Sequence, residues 1–186
     1  MILKDSFDFG EDIRDAEELK RLLAAEQSAK SAVGVSLFFE TLEKYFRSYI
    51  DRDAAFPRFS LPYVYVCEEG LIIVLAVVYS LMRLQSKRLS VTQTVKDDVL
   101  LLSFSAEDLT ESDVSAVASE EMLACLSMLA KTSGFSLAFG EEGKPCATLS
   151  LLPFHAIPVV TYSCSETLMQ SAIERAFRIF FALEHK

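Results

Sequence analysis

The sequence predicts an α+β fold: a two-layer sandwich in which a mixed sheet is covered on one face by helices, with extra helices at both ends. Three observations carry this. Apolar residues recur at three-and-four spacing in several stretches long enough for helices. Between them lie paired β-rich runs separated by short polar segments, Leu89 to Val95 with Val99 to Ser105 and Phe135 to Phe139 with Ala147 to Leu152. The 186 residues are 51% hydrophobic and 24% charged, with 14 Phe and 6 Tyr against 6 Gly and 5 Pro, so the chain can bury a sizeable core and is not disordered or low-complexity.

Taken in order, the segment from Asp15 to Lys30 reads as a helix with a narrow apolar stripe of Leu19, Leu22 and Leu23, opened by an Asp15/Glu18 capping box. A second helix, Val35 to about Asp51, places Leu37, Phe38, Leu42, Tyr45, Phe46, Tyr49 and Ile50 on a wide core-facing stripe. Pro57 and Pro62 then forbid helix. Phe59, Leu61, Tyr63 and Tyr65 alternate with other residues, which predicts a strand ending near Val66. From about Glu68 to Gln85 comes a helix that is apolar on every side. Its unbroken run, Leu71 to Met82, ends at Arg83, short of the ~20 residues a membrane span needs, so it is a buried helix.

Two strands flanking Lys96-Asp97-Asp98 form a hairpin, followed by a polar, acidic connection from Ala106 to Ala118. Helix returns from about Ser119 to Thr132, with Met122, Leu123, Leu126, Leu129 and Ala130 on one face and Gly134 as its stop. A second hairpin surrounds GEEGKP. The tail adds an apolar stretch, Ile157 to Tyr162, and a last helix introduced by the capping box Ser163 to Glu166. The organisation expected is a helical extension over residues 1–34, the sandwich over 35–153 and a strand-helix appendage over 154–186, all in one globular unit.

Charge and reactive residues narrow the function. With 18 basic and 27 acidic side chains the net charge is -9, which argues against nucleic acid and anionic membrane as partners, since both need clustered Lys and Arg. Cys67, Cys125, Cys146 and Cys164 form no CxxC pair and no Cys-His cluster, so no zinc site is expected and the thiols read as those of a reduced, cytoplasmic protein. The acidic start MILKDSFDFGEDIRD is not a secretory signal. His155 and His185 are peripheral, no Gly-x-Ser-x-Gly elbow is present, and the carboxylate pairs Asp97-Asp98 and Glu141-Glu142 fall at hairpin turns. No catalytic or metal-binding residue is assigned.

The stretch LIIVLAVVYSLMRLQS, the hairpin LSVTQTVKDDVLLLSFS, the helix EEMLACLSMLAKTSGFSLAF and the closing GKPCATLSLLP together resemble the ATP-binding domain of sensor histidine kinases. That domain belongs to the GHKL superfamily, which also includes gyrase, heat-shock chaperones and mismatch-repair ATPases. The resemblance covers about Val35 to Pro153 and implies a sandwich that holds Mg-ATP between a long helix and the sheet. Its nucleotide motifs are altered at their defining residues. The helix positions that carry magnesium-holding Asn in the family correspond here to Val77 and Leu81. The Asp-x-Gly-x-Gly box is replaced by Ser105-Ala-Glu-Asp108, leaving Glu107 or Asp108 as the substitutes that could bind adenine. Val117 to Glu121 stands where a glycine-rich lid is expected, and Pro145-Cys146 replaces the last Gly-Thr element.

Between Lys96 and Lys131 there is no basic residue, while eight acids sum to -8, which opposes a triphosphate. The expectation is therefore a catalytically silent, degenerate histidine-kinase-like domain of bacterial signal transduction that needs no cofactor. It would act as a protein-interaction or dimerisation module through helical faces, with Met169, Ile173, Phe177, Phe180 and Phe181 of the broad apolar last helix meeting the partner or a second copy. The alternatives are an active but divergent ATPase or kinase that uses ATP and Mg²⁺ with Glu107 or Asp108 on the base, or an unrelated α+β protein.

Overall fold

The computed structural model describes residues 30–49, 63–85, 88–106, 120–141, 144–155 and 166–181. The helix expected over 15–30, the lid region with Glu107 and Asp108, and the apolar stretch 157–162 lie outside the described residues.

The chain forms β1 (Ser31–Gly34), α1 (Val35–Tyr49), β2 (Tyr63–Val66), α2 (Glu68–Gln85), β3 (Leu89–Lys96), β4 (Val99–Ala106), α3 (Glu120–Ser133), β5 (Ser136–Glu141), β6 (Lys144–Leu151) and α4 (Glu166–Ala176), whose last turn widens into a π-helix over Phe177–Phe181. A four-stranded sheet has the order β3-β4-β6-β5, and β1 pairs with β2 in a small second sheet. Where a mixed sheet is expected from the sequence, every described pairing is antiparallel. The α+β sandwich class itself is what the structure shows.

Local rules set the joints. Asp97 and Asp98 both take positive φ, 50° and 59°, the signature of a type I′ turn, which closes the two-residue β3-β4 hairpin with Lys96 opposite Val99. Gly134, at φ +96°, ends α3: its N–H donates to the Lys131 carbonyl at 3.2 Å while Phe135 donates to Ala130 at 3.1 Å, the paired bonds of a Schellman cap. After β6, Val64 bridges to Pro153 and the Phe154 N–H donates to the Tyr63 carbonyl at 2.9 Å, which ties the small sheet to the end of the large one.

Alternation divides the large sheet into two unlike faces. Leu100, Leu102, Phe104 and Ala106 of β4, with Ala147, Leu149 and Leu151 of β6 and Leu137 of β5, are buried beneath the helices. α2 occupies the centre of that layer, against β4, α3 and α4. From Leu71 to Val78 each of its residues is essentially inaccessible, as expected of a helix apolar on every side. α1 buries Val35, Phe38, Phe39 and Leu42, whereas Leu37, read from spacing as core-facing, is half exposed because the buried arc lies on the Phe38 side.

Candidate functional site

The site to be examined first is the face of α2 where the sequence resemblance places the ligands of magnesium and triphosphate. Val77 is fully buried and Leu81 is 4% exposed. Their side chains offer no oxygen, and Mg²⁺ demands a near-octahedral shell of them. The Ser80 hydroxyl, between these two residues, is buried and has no hydrogen-bond partner. The start of the helix is equally closed to a phosphate. The Gly70 N–H donates to Cys67 Sγ at 3.4 Å and the Leu71 N–H to the Cys67 carbonyl at 3.0 Å, while Glu68 and Glu69 make the first turn acidic. Gly70 is required here by proximity: a Cβ on it would lie 1.8 Å from Ser133 Oγ and 2.7 Å from Ser133 Cβ, so the side chain that ends α3 packs directly on the bare backbone of α2.

The last helix does not face outward as a partner stripe. Met169, Ile173 and Phe177 sit in the chain's own core with Ala172, Ala176 and Ile179, because the uncovered flank of α2 needs an apolar cover and α4 supplies it. The side chains of Phe180 and Phe181 lie outside the described residues. Two ion pairs fasten α4. Near its C-terminus Arg175 Nη1 donates to Glu69 Oε1 of α2. At its N-terminus Lys44 Nζ of α1 meets Glu166 Oε1 at 3.1 Å. A hydrogen bond from Tyr45, then the bond and charge of Lys44, hold the Glu166 carboxyl below the usual carboxylate range.

The opposite face of the sheet is of another kind. Ser103 and Thr148 hydroxyls share a hydrogen bond at 3.1 Å, and Ser105 and Cys146 meet at 3.7 Å. The register puts Ser90, Thr92 and Thr94 of β3 and Ser150 of β6 on this side as well. At its edge a shallow cleft of about 610 Å³ is lined by Val99, Leu101, Phe135 and Leu152, with Lys96 and Asp97 among the lining residues. The rings of Tyr65 and Phe154 stack with centroids 5.4 Å apart on the neighbouring small sheet. The sequence gives no local signal for this cleft, because its wall is assembled from the β3-β4 turn, the end of α3, β5 and β6. Its lining holds one cation and one carboxylate and no nucleophile-base pair.

Glu107 and Asp108 are outside the described residues, and His155 stands exposed beyond β6. Among the described residues no group of three His, Cys, Asp or Glu is placed to hold a metal ion, no disulfide joins Cys67, Cys125 and Cys146, and no helix is long and apolar enough to cross a membrane.

No protein-family model matches the chain, and no curated protein matches it. Among solved structures it is similar to the histidine kinase AdeS of Acinetobacter baumannii, at a TM-score of 0.48 and 14% sequence identity, over 74% of this chain and 76% of that one. A likeness this distant carries no conclusion about activity.

Proposed function

We propose that the protein is a catalytically silent domain of histidine-kinase-like ATPase fold that serves signal transduction as a protein-interaction or dimerisation module, without nucleotide or metal. One observation carries the reading: the helix face that would have to hold Mg-ATP is packed apolar core, with Val77 and Leu81 buried. Placing magnesium and a triphosphate there would require opening the interior of the molecule and leaving charge without oxygen ligands. The run of eight acids between Lys96 and Lys131 supports the same reading, since it offers a polyanion only repulsion. A module that performs no chemistry must act through its surface, and among the described residues the open face of the sheet, rather than α4, supports that role.

Calorimetric titration with Mg-ATP to millimolar nucleotide, beside a charge-matched polyphosphate, tests this. No specific heat is expected. Saturation in the micromolar range with ATP and none with polyphosphate would sink the silent reading in favour of a divergent ATPase, and Asp108→Ala would then be the first variant to test for loss of adenine binding.

A further inference from the structure

We infer that the protein self-associates through the free edge of β3, two copies pairing antiparallel about a twofold axis that passes beside Gln93. The contact would be the dimerisation surface of the interaction module proposed above and rests on that reading for its role, while its existence rests on the strand alone.

β3 is the outermost strand of the large sheet, and among the described residues only β4 pairs with it. In a hairpin closed by a two-residue turn, hydrogen-bonded pairs alternate from the closing pair outward. Lys96, Thr94 and Thr92 therefore direct their backbone N–H and C=O to β4. Val95, Gln93 and Val91 direct theirs away from it, into the open edge. An edge of this kind is a template for another strand unless charge, proline or a bulge blunts it. β3 has no proline, no irregularity in its pairing, and Lys96 at its end as its single charge.

The sequence of that edge selects the occupant. Val91-Thr92-Gln93-Thr94-Val95 reads the same in both directions. Antiparallel pairing centred on Gln93 sets each residue opposite its equal: valine on valine on the helix side, threonine on threonine on the open side. β-branched cross-strand pairs of this type are favourable. Lys96 falls opposite Ser90 rather than opposite itself, and continuing the register brings Asp98 towards Arg88 of the second copy at both ends. Two chains of net charge -9 thus meet along a strand free of like-charge contacts. The residues whose backbone groups face outward are the palindrome's Val91, Gln93 and Val95, so the twofold arrangement forms about six backbone hydrogen bonds.

A second observation falls on the axis itself. Gln93 Oε1 is buried and accepts no hydrogen bond in the single chain. Turned towards the edge, opposite the same side chain of a second copy, each Gln93 carboxamide can leave that unpaired burial and donate its N–H₂ to the other's Oε1, the stacking that glutamine ladders use between paired strands.

Sedimentation velocity on the full chain, from micromolar to hundred-micromolar concentration, should show a dimer in reversible exchange with monomer. Gln93→Pro removes an outward N–H, which an edge strand tolerates, together with the carboxamide on the axis, and should weaken the dimer by at least about tenfold with the circular dichroism spectrum unchanged. Val95→Lys, at an already exposed position, should act in the same direction and serves if the proline variant does not fold.

Register is read by cysteine capture against the unsubstituted chain. Gln93→Cys lies on the axis and should form a disulfide with its own copy, since hydrogen-bonded partners have Cα atoms about 5.5 Å apart. Val91→Cys alone should not link, whereas a mixture of Val91→Cys and Val95→Cys should. A monomer at every concentration, a dimer indifferent to both edge variants, or a folded dimer in which Gln93→Cys does not link would overturn the inference. A monomer that also binds no ATP would remove the β3 contact and leave the silent-domain reading standing.

Discussion

The two faces of the large sheet are made by alternate residues of the same strands, yet they follow opposite rules. On the helix side Leu100, Leu102 and Phe104 are sealed beneath α2. One residue along, on the open side, Leu101, Ser103 and Ser105 are only partly buried, beside Thr148 and Cys146. The helix side is where the family that the sequence resembles would hold its nucleotide, and the described residues of α2 and the sheet on that side are packed core. Burial is concentrated on the helix side, and among the described residues the open side is hydroxyl-rich and carries few charges; under the reading proposed above, stability and interaction would be divided between the two.

The contrast can be broken by substitution. Its severest test is Val77→Asp, which buries an unpaired carboxylate in full; a loss of about 3 kcal/mol or more in urea unfolding is expected. A variant that unfolds like the parent would mean that this face of α2 is wet, and the argument against nucleotide would fall with it. Next comes Gly70→Ala, whose methyl would overlap Ser133; separation of α2 from α3 should cost about 1–3 kcal/mol, read as a lower denaturation midpoint at unchanged slope. Thr148→Ala on the open face should move stability by only about 0.5 kcal/mol, because water replaces the lost partner of Ser103. An effect as large as that of Gly70→Ala would show the open face to be structural after all.

The smallest effect belongs to the rim. The Glu166 carboxyl is held below its ordinary range by Tyr45 and Lys44, so its contribution is complete above the pKa of the unfolded carboxyl and disappears as pH falls through the lower folded value. Glu166→Gln should therefore flatten stability across that acidic window and leave neutral pH almost untouched. An acid limb unchanged in the variant would show that Lys44 and Tyr45 do not act on this group in solution.

How far the sequence announces all this depends on the range of the interaction. α2 spans Glu68 to Gln85, the limits read from its apolar run, because a helix apolar on every side has few alternatives. Gly134 stops α3 as its type predicts, and the Lys96-Asp97-Asp98 turn closes its hairpin within a residue of expectation. β1 escapes, since four residues reading Ser-Ala-Val-Gly hold too little alternation to signal a strand that exists only because β2 returns beside it. The apolar breadth of α4 is legible, but what it meets is not. Met169, Ile173 and Phe177 read equally well as a docking stripe or a core, and only the place of α2 decides for core. The palindrome around Gln93 is plain in the letters, yet it acquires meaning only once β3 is known to be an edge.

The seating of α4 on α2 also has a consequence in time. About eighty residues separate the end of α2 from the start of α4. A ribosome adding roughly 5–20 residues per second needs on the order of ten seconds to cross that interval. Throughout it the most apolar helix of the chain is synthesised but lacks its final cover. The nascent protein is thus more exposed to misassociation than the finished one, and its yield in a cell should respond to chaperone supply more steeply than its equilibrium stability would suggest.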